Sequence, residues 1–556
     1  MTPLWERLQE TRLPLVPHLK EIAAALEERE VLVLRSDPGS GKSTLLPLAL
    51  LDCPGAGKIL LAEPRRAAAL AIAARMAELL GEPCGESIGY AVHLEKRVSR
   101  RTRLEVLTEG LLIRRLQEDP DLKGVETVIF DEFHERSVHT DLALALLLDL
   151  RRLGARIRLL IMSATMDAGE IASFIDRTEN RREEGRVPVF DVPGRLFPVE
   201  IRYRPLPEVS PLGRETAAAL EAILEKEPDH NTLVFLPGRR EIEDAGAALA
   251  ERGLAETYRI LPLHGSLPLA RQREVIAGGG EGRRRIILST NLAETGLTIP
   301  DITLVVDSGY ARVERYHLPT AMNRLCPEPV SLRSADQRTG RAGRLSPGIC
   351  VRLWDPSRPR PREHEPEIRR VDLSAPVLEC LLWGVRDREG LPWPEPPSPA
   401  AWDRALELLR DLGAAGKAGQ PTAKGREMAR LGVEPRLGSL CIAGKTAGQA
   451  PLACAAAAVL AARDQSGIRG DGDFRRRLSL IRHNSPGPWV RGVRENAADL
   501  LKRLDLGGLP LNWTAEEEAG AGELLAAAFP DRIARAREPG IFRFASGREA
   551  RLEGPL

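Results

Sequence analysis

Two adjacent carboxylic residues, Asp131 and Glu132, follow a strand-like segment at 126–130 and precede a long apolar run that is typical of a helix. An ionised carboxylate is costly to bury unless a cation or hydrogen-bond donors meet it. The pair therefore suggests that a cation binds there. Acidic residues at this position also suit a helix cap, so the segment alone leaves capping and catalysis open.

A second segment, VLVLRSDPGSGKSTLLPLAL at 31–50, indicates a strand, a turn-rich loop and a helix. Gly39 and Gly41 allow the loop amides to turn inward around a phosphate, and the helix start at Lys42 adds its positive end to the same anion site. The full phosphate-loop pattern has glycine at position 36, where this chain has Ser36. The predicted nucleotide-binding residues here are Gly39, Ser40, Gly41, Lys42, Ser43 and Thr44.

The phosphate loop and the acidic pair together predict a nucleotide hydrolysis site. Lys42 is expected to reach the β- and γ-phosphates, and the Ser43 hydroxyl to bind Mg²⁺. Asp131 would be the main carboxylate ligand, and the predicted metal-binding residues are Ser43, Asp131 and Glu132. Glu132 would also polarise the attacking water. The predicted cofactors are ATP, with other nucleoside triphosphates accepted, and Mg²⁺.

Length and composition limit the class of protein. The 556 residues predict three or four domains. The first thirty residues carry charges throughout and lack the apolar region expected of a signal peptide, and no run of about 18 uncharged apolar residues indicates a membrane span. Seven scattered cysteines without a CxxC pair argue against a disulfide framework or a zinc site and fit a cytoplasmic protein. The formal net charge of +1 excludes a generally basic nucleic-acid coat but allows a local basic channel.

Further segments occur in a recognisable order. DEFH after GSGKST resembles the DExH/DEAH branch of superfamily 2 helicases, and DEFHERS together with VFLPG and QRTGRAGR most resembles its bacterial HrpB-type members. In that family's order, the other segments resemble motifs Ia, Ib, III, IV, V and VI, in turn AEPRRAAALAIAARMA (62–77), TEG (108–110), SAT (163–165), LVFLPGRREI (233–242), STNLAETGLTI (289–299) and QRTGRAGR (337–344).

The resemblance implies further catalytic residues. Arg341 and Arg344, three residues apart and expected on one side of a helix, would be arginine fingers, and Gln337 would help to orient the water. Ser163 and Thr165 would link hydrolysis to strand separation, although a strand-end cap explains them equally well. The catalytic set is then Lys42, Glu132, His134, Gln337, Arg341 and Arg344.

The nucleotide base and sugar have candidate contacts through the same resemblance. Arg75 and Tyr310 would stack on the two faces of the base, which predicts weak nucleotide selectivity. Tyr310 could instead be a core residue. Asp301 is the candidate ribose contact, one position later than the acidic residue of the family.

The resemblance also implies contacts to the backbone of a nucleic acid. These contacts would track phosphates and not sequence, and the candidates are Arg65, Arg66, Thr108, Gly238, Thr290 and Asn291. The segment 307–336 stands where the family has a strand-separating β-hairpin, but it contains no Asn-Gly or Asp-Gly turn.

The predicted fold is α/β, with two tandem RecA-like lobes of parallel sheet followed by a mainly helical region. Lobe 1 is expected over 1–190 and lobe 2 over 191–372. A winged-helix-like domain over 373–440, a helical ratchet-like domain over 441–510 and the start of an incomplete C-terminal module over 511–556 would follow.

These observations predict an NTP-dependent helicase or translocase. The resemblance implies RNA in preference to DNA as the single-stranded partner, and movement from 3′ to 5′. A nucleotide-gated RNA clamp without processive unwinding and a motor on DNA remain alternatives, and a P-loop kinase is a remote one. We expect a cytoplasmic monomer without membrane association.

Overall fold

The computed structural model describes residues 3–53, 57–164, 168–194, 197–207, 211–277, 282–294, 299–317, 322–462, 464–468, 472–544 and 547–551. It divides the chain into two compact units. The first comprises Met1–Val371 and Pro392–Glu395, and the second comprises Asp372–Leu391 and Pro396–Leu556.

The first unit begins with an α/β lobe around an eight-stranded sheet. Its helices are α1 (Pro3–Glu10), α2 (Leu19–Arg29), α3 (Leu45–Leu51), α4 (Arg66–Leu80), α5 (Glu109–Glu118), α6 (Val138–Arg152) and α7 (Ala168–Glu179). Its strands are β1 (Val31–Ser36), β2 (Lys58–Glu63), β3 (Ile88–Val92), β4 (Glu95–Arg97), β5 (Leu104–Thr108), β6 (Val125–Phe130), β7 (Arg158–Ser163) and β8 (Val189–Val192). The order is β4-β3-β5-β2-β6-β7-β1-β8, and each pair of neighbours is parallel except β3 and β4.

A second lobe of the same unit surrounds a six-stranded sheet in which every neighbouring pair is parallel. Its order is β11-β12-β10-β13-β16-β9, with β9 at Val199–Tyr203, β10 at Asn231–Phe235, β11 at Arg259–Leu263, β12 at Arg285–Ser289, β13 at Ile302–Asp307 and β16 at Gly348–Arg352. Its helices are α8 (Leu212–Leu224), α9 (Arg239–Glu251), α10 (Leu254–Thr257), α11 (Leu269–Ala277), α12 (Leu332–Thr339) and α13 (Glu367–Arg370).

Between β13 and α12 the chain forms a two-stranded antiparallel ribbon. It consists of β14 (Tyr310–His317) and β15 (Met322–Pro329), paired over eight residues from Tyr310 opposite Pro329 to His317 opposite Met322. The hairpin implied by the resemblance is therefore present within 307–336. Its connection at 318–321 lies outside the described residues.

The central strands of both lobes are apolar and buried, as expected where helices cover both faces of a parallel sheet. In β10, Val234 packs in one apolar cluster with helices α8 and α9, while Leu233 and Phe235 pack in another on the opposite face. This burial explains why the sequence shows short apolar runs instead of strict alternation. The buried strands also hold their carboxyl ends in place, and the loops that carry the polar site residues begin at these ends.

The second unit is mainly helical. Its helices are α14 (Ser374–Trp383), α15 (Pro399–Asp411), α16 (Ala423–Leu431), α17 (Pro435–Thr446), α18 (Ala450–Ala461), α19 (Phe474–Arg482), α20 (Pro488–Arg503), α21 (Ala515–Ala519) and α22 (Ala521–Ala528). A small antiparallel sheet of β17 (Ala534–Glu538), β18 (Ile541–Phe544) and β19 (Glu549–Arg551) follows. Alanine-rich α18 is buried along most of its length, so close helix packing explains its composition.

The predicted fold class is confirmed: two parallel-sheet lobes precede a helical region. Two of the expected domain boundaries fall within elements, 190/191 in β8 and 440/441 in α17. The winged-helix and ratchet assignments stay predictions. Among the described residues, no helix combines the length and apolar character needed to cross a membrane.

Candidate nucleotide site and strand-facing residues

The phosphate loop joins β1 to α3. Gly39 and Gly41 have φ angles of +86° and +99°, in the left-handed region that glycine tolerates best. A Cβ atom on Gly41 would lie 2.9 Å from Leu45 Cδ1 and 3.2 Å from Leu13 Cδ1, so side-chain packing also requires glycine there. Helix α3 begins at Leu45, three residues later than the predicted start at Lys42, because residues 42–44 still form turns.

Ser36 replaces the first glycine of the phosphate-loop pattern without strain. It is the last residue of β1, it is buried, and its Oγ donates a hydrogen bond of 2.9 Å to the Val192 carbonyl on β8. Its backbone is extended strand, so the position does not need the conformational freedom of glycine. The substitution therefore adds a tie between neighbouring strands and leaves the loop shape to Gly39 and Gly41.

Lys42 and the acidic pair meet in a buried cluster. Lys42 Nζ lies 3.2 Å from Glu132 Oε1, and Lys42, Asp131 and Glu132 are only 3%, 1% and 7% exposed. Burial lowers the pKa of Lys42, but Glu132 and Asp131 outweigh this effect and the net pKa is raised. Burial likewise opposes the charged form of Glu132, yet attraction to Lys42 holds its pKa below the usual range. Both groups are therefore charged.

Asp131 differs from its neighbour. Burial and repulsion by Glu132 raise the pKa of Asp131, while Lys42 and a hydrogen bond from Ser43 oppose the rise. Among the described residues, no hydrogen-bond partner meets Asp131 Oδ2 or Glu132 Oε2, although both atoms are buried. These oxygens fit Mg²⁺, which binds one or two protein oxygens and fills its shell with phosphates and water. Within the described residues no group of three or more histidine, cysteine or acidic side chains could hold a metal ion by itself.

His134 connects Glu132 to the second lobe. Its Nδ1 lies 3.4 Å from Glu132 Oε2, and its Nε2 lies 2.8 Å from the amide Nε2 of Gln337 on α12. Burial lowers the pKa of His134, so the ring is neutral. Because the Gln337 amide donates to Nε2, the ring proton stays on Nδ1, facing Glu132. Two predicted catalytic side chains are thus brought together across the lobes.

Arg341 and Arg344 come from the turn that follows α12. The expectation that both lie on one helix is wrong: α12 ends at Thr339, and the Arg341 amide donates to the Arg338 carbonyl in a turn. A Cβ on Gly343, between the arginines, would lie 2.5 Å from the Phe197 carbonyl oxygen, so this turn packs against the segment before β9 and leaves no room for a side chain at position 343.

Arg341 is buried and Arg344 is partly buried. Burial and the neighbouring Arg344 lower the pKa of Arg341 far below its usual value. Burial lowers the pKa of Arg344 to about 10, and attraction to Glu132 only partly offsets this. Arg341 also donates to the carbonyl oxygen of Glu294. Two guanidinium groups withdrawn from solvent in this way are suited to a polyanionic ligand.

Two residues at this site were missed by sequence reasoning. Arg338 is fully buried, with Nε 2.9 Å from Glu294 Oε2, Nη1 2.7 Å from Asp307 Oδ1 and the guanidinium carbon 4.8 Å from the Phe235 ring centroid. Glu63, at the end of β2, is fully buried, and burial together with Asp131 and Glu132 raises its pKa well above the usual value. An acidic residue at the end of a second strand beside Asp131 was the available signal.

Comparison with known proteins agrees with this geometry. The DEAD/DEAH box helicase family matches residues 17–174, and the helicase conserved C-terminal domain matches residues 215–346. The chain is 40% identical over 547 residues to the ATP-dependent RNA helicase HrpB of Escherichia coli (strain K12), which covers 97% of this chain and 64% of that protein. It is 36% identical over 444 residues to the ATP-dependent RNA helicase HrpA homolog of Haemophilus influenzae, covering 77% of this chain and 33% of that protein.

Solved structures agree as well. The crystal structure of the Escherichia coli DEAH/RHA helicase HrpB has a TM-score of 0.86 with this chain at 39% identity, covering 98% of this chain and 67% of that one. The chain belongs to the DEAH-box helicase family. It spans 64% of the length of the curated HrpB relative.

The candidate strand-facing residues of this DEAH-box chain share one location in each sheet. Arg65 and Arg66 follow β2, Thr108 ends β5, Gly238 follows β10, and Thr290 and Asn291 follow β12. All stand at the carboxyl ends of parallel strands, and in the first lobe this is the edge from which the phosphate loop and Asp131 emerge. Their contacts to a nucleic acid stay predictions.

Arg65 and Arg66 have different surroundings. Arg65 Nη1 donates to the main-chain oxygens of Asn291 at 3.1 Å and Leu292 at 3.2 Å in the second lobe, and its Nη2 lies 3.0 Å from Glu135 Oε1. Arg66 instead pairs with Glu95 at 3.4 Å on the surface. Arg65 therefore joins the two lobes.

The other strand-facing candidates are backbone positions or caps. Thr108 precedes α5 at its N-cap, and Thr290 accepts a hydrogen bond from the Leu292 amide. Asn291 is exposed. A Cβ on Gly238 would lie 2.6 Å from Arg312 Nε, so a side chain there would displace Arg312 of the β14–β15 hairpin.

The residues predicted to contact the base and the ribose lie on separate elements of the two lobes. Arg75 is exposed on α4 and pairs with Glu78 at 2.6 Å, and Tyr310, at the start of β14, is 37% exposed, so it is not a core residue. Asp301 directly precedes β13, at the opposite end of that strand from Asp307, and its charge acts on Arg285. The sandwich and the ribose contact stay predictions. Ser163 is buried at the end of β7, and Thr165 lies outside the described residues.

Proposed function

We propose that this chain is an ATP-dependent helicase or translocase that acts on single-stranded RNA in preference to DNA and moves from 3′ to 5′. One observation carries the proposal: buried Glu132 contacts Lys42 of the phosphate loop, and its charge acts on Arg341 and Arg344 of the second lobe. Relatives named ATP-dependent RNA helicases, similar over most of the chain, support RNA as the substrate. The resemblance alone supports the direction.

Hydrolysis would begin with a change of partner at Lys42. Lys42 Nζ lies 3.2 Å from Glu132 Oε1. When ATP binds, Lys42 would pair with the β- and γ-phosphates instead of Glu132. Without that attraction the pKa of Glu132 would rise, and Glu132 would become a stronger general base. Glu132 would accept a proton from the attacking water, while His134 and Gln337 orient both groups.

Arg341 and Arg344 would stabilise the charge that develops on the γ-phosphoryl oxygens. Because these residues come from the second lobe, hydrolysis requires both lobes to face the nucleotide. Asp131 and Ser43 would hold Mg²⁺, which neutralises charge on the β- and γ-oxygens. Their free buried oxygen and adjoining hydroxyl support that assignment.

Strand binding would use the carboxyl-end residues of both sheets. Arg65, Arg66 and Thr108 of the first lobe and Gly238, Thr290 and Asn291 of the second would contact the backbone, which carries no sequence information. Opening and closing of the lobes around ATP would change the spacing of these contacts and so move the strand. Arg75 and Tyr310 would stack on the base, and Asp301 is retained as a candidate ribose contact.

The test is steady-state ATP hydrolysis with single-stranded RNA, with DNA of the same sequence and with neither. Stimulation by RNA alone supports the proposal, equal stimulation by both indicates a motor that does not distinguish the sugars, and no stimulation by either contradicts it. Duplexes with 3′ or 5′ single-stranded extensions then test direction. Unwinding only from 3′ extensions is expected, and hydrolysis without unwinding would favour the nucleotide-gated clamp.

We further propose that the chain works as a monomer in the cytoplasm. The seven dispersed cysteines suit a reducing compartment, which supports the location. Sedimentation with and without RNA tests the monomer, and a stable dimer would contradict it.

A further inference from the structure

The short helix α13 contacts the end of the loop over residues 131–137, which carries Asp131, Glu132 and His134 and is called the catalytic loop below. The Glu367 amide donates to the Arg136 carbonyl at 3.2 Å, and the Val138 amide donates to Glu367 Oε2 at 3.2 Å. Glu367 thus holds the backbone on both sides of Ser137. This is the segment that leaves Asp131, Glu132 and His134 and enters α6.

The same helix also binds the β14–β15 hairpin. Arg370 Nη1 donates to the Glu314 carbonyl of β14 at 2.7 Å, and Arg370 Nε donates to the Glu365 carbonyl at 3.0 Å. The Arg370 side chain is only 12% exposed. Next to Glu314, Arg315 pairs with Glu365 at 2.9 Å, so the segment before α13 also contacts this strand.

A contact within α13 joins its two ends. Arg370 Nη2 lies 3.5 Å from Glu367 Oε1, the two residues being one helical turn apart. Glu367 therefore meets the Val138 amide through one oxygen and Arg370 through the other. An uninterrupted series of polar contacts runs from the Arg136 carbonyl through Glu367 and Arg370 to the Glu314 carbonyl.

At the catalytic-loop end of this series, the backbone of Arg136 has a strained conformation that its neighbours must hold. Arg136 has a φ angle of +47°, which is costly for a residue with a side chain and persists only when its surroundings hold it. Several contacts do so: the Arg136 guanidinium pairs with Asp141 at 2.8 Å, the Arg136 amide donates to the Phe133 carbonyl at 3.1 Å, and the Glu367 amide donates to the Arg136 carbonyl. If the loop changes when Lys42 exchanges Glu132 for phosphate, the Arg136 carbonyl moves and Glu367 must follow.

We propose that α13 transmits the nucleotide state of the catalytic loop to the β14–β15 hairpin, with Glu367 and Arg370 as positioning residues. This inference rests on the proposed function, because it requires that nucleotide binds beside Glu132. Coupling between distant sites needs a contiguous physical connection whose state both sites bias, and α13 supplies one. The proposal gives the hairpin a direct connection to ATP in addition to its covalent attachment to the second lobe.

The neighbouring Arg369 offers a matched control. It lies on the same helix, but its side chain is 53% exposed and pairs with Glu395. Replacing Arg369 removes the same charge and side-chain length from α13 without touching the series of contacts. Differences between Arg370→Ala and Arg369→Ala therefore report on the contacts of Arg370 and not on the net charge of the helix.

The experiment is hydrogen–deuterium exchange of the full chain with and without a non-hydrolysable ATP analogue and Mg²⁺. In the unsubstituted protein, the analogue should change exchange in peptides covering β14 and β15. Arg370→Ala should lose most of this change, Arg370→Lys should keep part of it, and Arg369→Ala should keep all of it. An unresponsive hairpin in the unsubstituted protein, or a full response in Arg370→Ala, overturns the proposal.

Two further readouts separate the inference from the proposed function. Exchange near the phosphate loop shows whether the analogue binds, and its absence there would refute the proposed nucleotide site instead. Where unwinding is measurable, Arg370→Ala should unwind about tenfold less duplex per ATP hydrolysed, with RNA-stimulated hydrolysis unchanged. If Arg370→Ala does not fold, Arg370→Lys and Glu367→Gln decide: hairpin responses equal to that of the unsubstituted protein in both would contradict the proposal.

Discussion

Glu132 carries two energetic costs, one in its backbone conformation and one in the burial of its charge. Its φ angle of +47° lies in the left-handed region, and its carboxylate is buried beside that of Asp131. Strained backbone of this kind persists where the surrounding structure determines it, and such positions cluster at active sites. The contacts to Lys42 and His134 oppose the burial cost, and among the described residues Glu132 Oε2 has no hydrogen-bond partner.

The change Glu132→Gln is expected to abolish turnover and to preserve nucleotide binding. The amide cannot accept the proton of the attacking water, but it keeps the size of the side chain and removes no phosphate contact. Steady-state hydrolysis and equilibrium binding of a fluorescent ATP analogue measure the two properties. Glu118→Gln, an exposed residue paired with Arg114, is the control. Hydrolysis at the unsubstituted rate in Glu132→Gln would remove Glu132 from its role.

Arg341 and Arg338 should separate into catalytic and structural roles. Arg341→Ala is expected to lower turnover roughly 10³-fold with a small effect on nucleotide affinity, as for other arginine fingers. Arg338→Ala leaves Glu294 and Asp307 buried without their cation and should destabilise the protein by about 3–5 kcal/mol. Turnover and thermal unfolding of both variants test this, and equal unfolding temperatures would contradict it.

Short-range patterns explain which site residues the sequence reveals. Lys42, Asp131 and Glu132 stand in motifs whose strand, loop and helix are encoded within about 20 residues. Glu63 and Arg338 were missed because burial and partners far along the chain define them. The sequence marks Arg341 and Arg344 as candidate arginine fingers, but no local pattern shows that α12 ends at Thr339, before both of them.

At the scale of elements, one buried carboxyl joins two helices of the first lobe. Glu109, the first residue of α5, accepts hydrogen bonds from the hydroxyls of Ser137, which caps α6, and Thr140. No lysine or arginine pairs with it in the described part of the chain. Burial raises the pKa of Glu109 to about 7; the two hydroxyls oppose the rise, and Glu135 and Glu367 add to it.

This raised pKa predicts a pH-dependent loss of stability. Above the unfolded-state pKa of about 4.5 the unfolded chain releases the Glu109 proton while the folded chain retains it, so stability falls until the pH passes about 7. In Glu109→Gln this pH-dependent loss of stability is absent, because glutamine does not titrate. Its free energy of unfolding relative to the unsubstituted protein should therefore rise by on the order of 2 kcal/mol from about pH 5 to about pH 8. Thermal unfolding across that range measures it, with Glu118→Gln as the control; a difference independent of pH would count against it.

Whether an element could be predicted depended on its burial. Strands β1, β2, β6, β7, β10, β12 and β13 appear in the sequence as apolar runs because both faces are covered. Strands β14 and β15 carry charged residues and are mostly exposed or half-buried, and no Asn-Gly turn marks their connection. Eight residue pairs between the two strands hold them together, and only the folded chain shows this pairing.

At the scale of the whole molecule, the site is complete only when both lobes contribute. The first lobe supplies Lys42, Asp131 and Glu132, and the second supplies Gln337, Arg341 and Arg344. The motifs predict two such lobes, but not the side chains that connect them. Arg65 is the clearest case, because the resemblance assigns it to the nucleic acid while the structure shows it bonded to the second lobe.

Arg65→Lys should therefore slow hydrolysis even in the absence of nucleic acid. A guanidinium can donate to the Asn291 and Leu292 carbonyls and pair with Glu135 at the same time, whereas an ammonium on a flexible stem holds this geometry less well. The loss would favour separated lobes and withdraw Arg341 and Arg344 from the nucleotide. Steady-state hydrolysis without RNA, over a range of ATP concentrations, measures the effect, and Arg114→Lys, on the surface of α5, is the control. If Arg65→Lys weakens only RNA binding and leaves hydrolysis without RNA unchanged, Arg65 acts on the strand alone and closure of the lobes does not depend on it.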